Sequence, residues 1–147
     1  MTEQSQHHEP PHQQPSHHQQ QQQPGYAGSA RPMSQQDEKT WATLTHAISG
    51  IAMVASAGTL GFIASLVIYL VCKDRGPFVR AHAANAVNVQ LTALIGLVVS
   101  AVLMVVLVGF LTYPLVVVAA VVIHIVAALK ANAGEWYDPP FTIRFVR

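Results

Sequence analysis

Three histidines in the apolar part of the chain, His46, His82 and His124, are the residues whose type best suits acid–base or metal chemistry. A metal site would need the three rings to converge and to be joined by thiolate or carboxylate ligands. The apolar segments contain no Asp or Glu, and the single cysteine, Cys72, lies at the end of a segment. In the helix pattern predicted for the chain, His124 lies about 12 Å inside the end of its helix, deeper than the other two histidines. We therefore expect structural, hydrogen-bonded histidines without a metal or a cofactor; the alternatives are a metal or haem site and, after that, proton transfer.

A second polar feature is a row of side chains in the stretch KDRGPFVRAHAANAVNVQLT. At about 100° per residue, Asn85, Asn88 and Thr92 fall on one side of a helix, with His82 at the edge of that side. Amides inside hydrocarbon need hydrogen-bond partners, so this amide face (His82, Asn85, Asn88 and Thr92) is predicted to contact protein or trapped water and not lipid. It could pack against neighbouring helices, bind a partner or line a water-filled cleft.

The composition divides the chain into a hydrophilic tail and an apolar domain. The chain has 147 residues, a formal net charge of +1 and one cysteine, so neither an internal disulfide nor a nucleic-acid partner is expected. Residues 1–38 are rich in Gln, His and Pro and hold almost no aliphatic side chain, which predicts a disordered tail. Residues 39–147 contain apolar runs longer than the roughly 18 residues that indicate a membrane span.

The fold class predicted for residues 39–147 is an all-α, small polytopic transmembrane helical bundle. Residues 44–72 could form one strongly tilted helix or two short ones, and the weak helix formers at Ser56–Thr59 favour a hairpin of two. Four helical segments followed by an interfacial tail are therefore expected, at about 40–55, 58–72, 78–109 and 113–132, with the tail at 135–147.

The positive charges indicate an orientation. They lie in one loop and after the last helix, at Lys73, Arg75, Arg80, Lys130, Arg144 and Arg147. The connections at residues 56–59 and 109–113 carry no charge. Because positively charged segments stay in the cytoplasm, we expect a multi-pass cell-membrane protein with both termini on the cytoplasmic side.

The three stretches WATLTHAISG, KDRGPFVRAHAANAVNVQLT and ALKANAGEWYDPPFTIRF carry a family pattern. They resemble the bacterial membrane family named domain of unknown function 4870, which is grouped with Tic-type, chloroplast translocon-like proteins. The resemblance covers about residues 40–147, and Val89 and Ser65 depart from the pattern. It implies a four-helix protein of the bacterial inner membrane without an assigned activity. The positions that match the pattern are His46, Pro77, Phe78, His82, Ala83, Asn88, Gln90, Gly134, Tyr137 and Pro139 or Pro140.

No catalytic arrangement is visible in the sequence. Ser49 follows His46 at an ordinary helical spacing without an orienting carboxylate, and there is no phosphate-binding loop or zinc-protease motif. We therefore expect no enzyme but a non-catalytic scaffold or translocation-associated component, with lipid and a second copy or another membrane protein as partners. The alternative is a permease-like protein whose amide face lines a path for a small solute or ion. The lack of polar residues at 101–111 and 115–123 favours the scaffold.

Overall fold

The structure, a computed structural model, describes residues 31–147. Within that range the chain is all-helical and contains no strand. The helices are α1 (Gln35–Ala55), α2 (Leu60–Cys72), α3 (Pro77–Leu103) and α4 (Gly109–Ala133), with a single turn of 3₁₀ helix at Met104–Val106. The predicted fold class is confirmed. Most of the predicted disordered tail falls on residues 1–30, outside the described residues.

The first two helices form the expected hairpin. α1 begins at Gln35, five residues before its predicted start, because the Ser34 hydroxyl accepts a hydrogen bond from Asp37 N (3.1 Å) and caps the helix. The turn between α1 and α2 places Ala57 and Gly58 in left-handed backbone conformations, with φ of 53° and 105°. The single tilted helix considered for residues 44–72 is therefore wrong.

The second pair of helices meets in a turn that lies earlier in the chain than predicted, at residues 104–108 and not 109–113. Pro77 lies in the first turn of α3, as expected for a residue without an N–H group. α3 ends at Leu103 and not near residue 109, because the chain tightens into the 3₁₀ turn and Leu107 is left-handed (φ 64°). α4 begins at Gly109, whose backbone lies directly against α3, so Pro114 falls inside the helix instead of opening it.

The two ends of the bundle differ in polarity. At the end that we name the charged end (residues 31–39, 73–80 and 130–147), Met33 N donates to Arg75 O (2.7 Å) and the Tyr69 hydroxyl to Arg147 O (3.2 Å). At the apolar end (residues 56–59 and 97–113), the Tyr113 hydroxyl donates to Ala57 O (2.6 Å).

The outside of the bundle is apolar. Segments Pro77–Val106 and Gly109–Ala133 are each long and apolar enough to cross a membrane. Large aliphatic side chains such as Ile51, Val102 and Leu115 are exposed on the surface. The core between the helices contains Met53, Val89, Ala93, Leu97 and Ala120.

Candidate functional site

The three histidines meet in the interior of the bundle. His46 from α1, His82 from α3 and His124 from α4 are each at most 2% exposed. His46 Nδ1 lies 3.2 Å from His124 Nδ1, and His46 Nε2 lies 3.3 Å from His82 Nδ1. The expected separation in depth is wrong: α1 starts early enough to place His46 eleven residues inside its helix, level with His124.

Two further groups close the ends of this histidine cluster. His82 Nε2 lies 3.1 Å from the carbonyl oxygen of Glu135. At the other end, Gln90 Nε2 lies 2.9 Å from His124 Nε2 and donates to Ser49 O at 3.2 Å. The residue pattern alone did not place Gln90 in a site. Gln90 was named only among the positions that match the family pattern. The available signal was its spacing of eight residues from His82, about 80° around the helix, on the same side of α3.

The cluster does not have the arrangement of a metal centre. His46 directs its two ring nitrogens to different partners, so the three rings share no common point at which a cation could bind. In residues 31–147, no group of three His, Cys, Asp or Glu side chains could hold a metal ion. The arrangement is instead a chain of hydrogen bonds that ties together α1, α3, α4 and the segment after α4.

The amide face is covered by the chain's own C-terminal segment. Asn88 Oδ1 accepts hydrogen bonds from Phe145 N (2.9 Å) and Val146 N (2.8 Å), and its Nδ2 donates to Val146 O (2.8 Å). Asn85 Nδ2 donates to Tyr137 O (2.6 Å), and Thr92 Oγ1 accepts from Ile143 N (3.0 Å). Each of these contacts is to a main-chain group, so the face holds the segment irrespective of its side chains.

This occupant was not among those expected for the face. The alternation of Phe141, Ile143 and Phe145 predicted an extended tail on the membrane surface, but not that its backbone would return across α3. Gly134 allows the return, because it ends α4 in a left-handed conformation (φ 79°). Burial, with the Asp138 carboxylate beside it, raises the pKa of the Tyr137 phenol, so this side chain is neutral near pH 7.

Residues 37–146, which include the histidine cluster and the amide face, match the model of MamF/MmsF, the magnetosome magnetite crystal formation protein family. The chain belongs to this family. The resemblance to domain of unknown function 4870 and to Tic-type translocon-like proteins is therefore wrong, and with it goes the support for a role in translocation. No curated protein and no solved structure matches the chain. This MamF/MmsF-family chain, with two helices able to cross a bilayer, is a membrane protein.

Proposed function

We propose that this chain is a non-catalytic scaffold of the magnetosome membrane that contributes to magnetite crystal formation. The observation that carries the proposal is that the three buried histidines are bonded to one another, and the amide face to the C-terminal segment, in a chain of the crystal-formation family. A scaffold needs such a rigid, internally bonded body. An enzyme would need reactive side chains directed at an open site.

The permease alternative has less support. The face that would line a path is filled by backbone from residues 137–146. Beyond Thr92, the lining toward the apolar end would come from aliphatic positions such as Leu97 and Val116. A path for an ion needs polar groups at every depth, since a bare charge in hydrocarbon is costly.

The proposal includes an orientation with the charged end in the cytoplasm, in a chain that crosses the membrane more than once. The support is the clustering of Lys and Arg at that end and the uncharged turns at the other. In this orientation the turns at 56–59 and 104–108 face the crystal. These turns contain no Asp, Glu or His. The chain would therefore act on the crystal through the membrane or through partners bound to its charged end, and not by binding iron on the crystal side.

Complementation tests the role in crystal formation. In a magnetite-forming bacterium that lacks its own copy of the protein, the full chain should restore crystal size and number, measured by electron microscopy. Asn88→Leu, which releases the C-terminal segment, should restore them poorly, and Asn132→Ala, a change at an exposed position of α4, should behave as the unaltered chain. Equal restoration by all three chains would argue against the scaffold.

A flux measurement separates the scaffold from the permease. Vesicles that contain the purified chain should conduct iron, other small cations and protons no faster than empty vesicles. A flux that depends on the chain and rises when Asn88 is replaced would support the permease and contradict the proposal.

A further inference from the structure

Both ends of the histidine cluster are fixed by main-chain carbonyl groups. A carbonyl oxygen only accepts hydrogen bonds, so His82 Nε2 must carry a proton where it meets Glu135 O. For the same reason the side-chain nitrogen of Gln90, and not its oxygen, faces Ser49 O. These two contacts determine the protonation of everything between them.

Only one proton arrangement satisfies the cluster. Gln90 Nε2 donates to His124 Nε2, so a neutral His124 carries its proton on Nδ1 and donates it to His46 Nδ1. His46 then carries its proton on Nε2 and donates it to His82 Nδ1. His82 carries its proton on Nε2, as the contact with Glu135 requires. The assignments from the two ends agree, with one proton on each ring and every ring nitrogen bonded.

We propose that this cluster is a binding site for one additional proton, with the side-chain amide of Gln90 as the switch. In the loaded state three protons have changed place. The proton of His46 Nε2 moves to His82 Nδ1, the proton of His124 Nδ1 moves to His46 Nδ1, and a proton from water binds His124 Nε2. His82 becomes the imidazolium. The Gln90 amide rotates so that Oε1 accepts from His124 Nε2. This rotation gives up the bond from Gln90 Nε2 to Ser49 O, while all contacts between the rings are again satisfied.

An unpartnered atom supports this second state. Gln90 Oε1 is buried and has no hydrogen-bond partner. A buried polar atom without a partner costs about 1–3 kcal/mol, so such atoms call for an explanation. Gln90 Oε1 is the acceptor that the loaded state requires. The amide has room beside α2 only because residue 61 is glycine. A Cβ atom at this position would overlap the Gln90 amide.

The surroundings contain no charged group that would hold the extra proton elsewhere. Across the described residues, no carboxylate, ammonium or guanidinium group is hydrogen-bonded to the three rings. The Glu135 carboxylate is paired with Lys130 (2.6 Å), and the Glu38 carboxylate accepts from the backbone at the start of α3. The elements around the cluster contribute His46 and Ser49 from α1, Gly61 from α2, His82 and Gln90 from α3, His124 from α4, and the carbonyl of Glu135.

A proton site of this kind has a use if the proposed function holds, and this step rests on it. Building an iron oxide from hydrated iron ions releases protons from the water that supplies the oxide. A membrane component that binds one proton, and changes its internal hydrogen bonds when it does so, could respond to that release. The site itself is a property of the bundle, and its test does not depend on crystals.

The test is ¹⁵N NMR of the full chain in lipid bilayers, with labelled histidine and with the five tail histidines at 7, 8, 12, 17 and 18 replaced by glutamine to simplify the spectrum. Near pH 8 the unprotonated nitrogens should be His46 Nδ1, His82 Nδ1 and His124 Nε2. On acidification one proton should bind, leaving His46 Nε2 and His124 Nδ1 unprotonated. Exchange of tautomers at His46 and His124 in the same transition supports the proposal. Rings that titrate separately, or tautomers that never exchange, overturn it.

Gln90→Glu sharpens the test because the carboxylate has nearly the shape of the amide. It offers His124 Nε2–H an acceptor without rotation, so the transition should shift upward by at least about one pH unit, a tenfold gain in proton affinity. Gly61→Ala is the matched change that restricts rotation, and it should shift the transition downward. Transitions at the same pH in the unaltered chain and Gln90→Glu would refute the role of Gln90. If either variant fails to fold, the tautomers observed in the unaltered chain still test the proposal.

Discussion

The charged end and the apolar end of the bundle are held together in different ways. At the charged end, side chains bond to the backbone of other elements: Glu38 Oε2 accepts from Phe78 N (2.8 Å) and Val79 N (3.1 Å), and Asn88 holds the C-terminal segment. At the apolar end, within residues 31–147, Tyr113 makes such a contact between distant elements, and Ser56 Oγ accepts from Leu60 N (2.8 Å) across the turn between α1 and α2. There the helices approach through glycine, as where Gly109 lies against α3.

The difference follows from the residues available at each end. The charged end is rich in side chains that can bond to the backbone of another element. The apolar end has few such side chains, so close packing of small residues contributes more to its specificity. Four substitutions probe this contrast, each measured as the thermal midpoint of the purified chain in detergent by tryptophan fluorescence.

Gly109→Ala should have the largest effect. The added Cβ would overlap the backbone at Ser100 O and Met104 N, which cannot move without displacing the end of α3. We expect a destabilisation of about 3 kcal/mol or more. Gly50→Ala is the control, because its Cβ would meet only the His124 side chain, at 3.4 Å from Cβ and 3.8 Å from Cγ, which are ordinary contacts. Equal midpoints for the two variants would show that the apolar end does not depend on close packing.

Asn88→Ala should come next, because it removes three hydrogen bonds to the C-terminal segment. At about 1 kcal/mol each, the loss is about 3 kcal/mol, and the released segment should be digested faster by a carboxypeptidase. Asn85→Ala, which removes only the bond to Tyr137 O, should cost about a third as much. A segment that remains resistant to digestion in Asn88→Ala would mean that other contacts hold it.

Glu38→Ala should lower stability by about 2 kcal/mol. Its carboxylate satisfies two free N–H groups at the positive end of the α3 dipole, so both the bonds and the charge are lost. Glu38→Gln keeps an acceptor and should recover about half of the loss. If Gln behaves as Ala does, charge and not hydrogen bonding is what stabilises this end.

Tyr113→Phe should have the smallest effect, about 1 kcal/mol, because it removes the hydroxyl and leaves the ring in place. Tyr69→Phe removes a longer bond, to Arg147 O (3.2 Å against 2.6 Å for Tyr113), and should therefore cost less. A larger loss of stability for Tyr69→Phe than for Tyr113→Phe would contradict the contrast between the two ends.

The sequence was sufficient to predict the fold and to identify the polar side chains that the interior contains. Apolar runs, Pro77 and the weak helix formers at 56–59 predicted four helices, because they depend on local chemistry. The start of α4 was missed because a contact with α3 sets it, at Gly109, and the start of α1 was missed because the local cap at Ser34 was overlooked. The histidine cluster was missed for a related reason: whether three rings meet depends on the relative depth of three helices, and an error of five residues at the start of α1 shifts His46 by about 7 Å.

The short second helix has a consequence for the lipid around the protein. α2 has 13 residues, about 20 Å of helix, whereas a bilayer's hydrocarbon core is about 30 Å thick. α3, with 27 residues, exceeds that thickness. The apolar surface of the bundle is therefore shorter on the side of α2 than on the side of α3. In the proposed multi-pass arrangement, lipid beside α2 would have to thin to match, and this hydrophobic mismatch would favour regions of bilayer that are already thin.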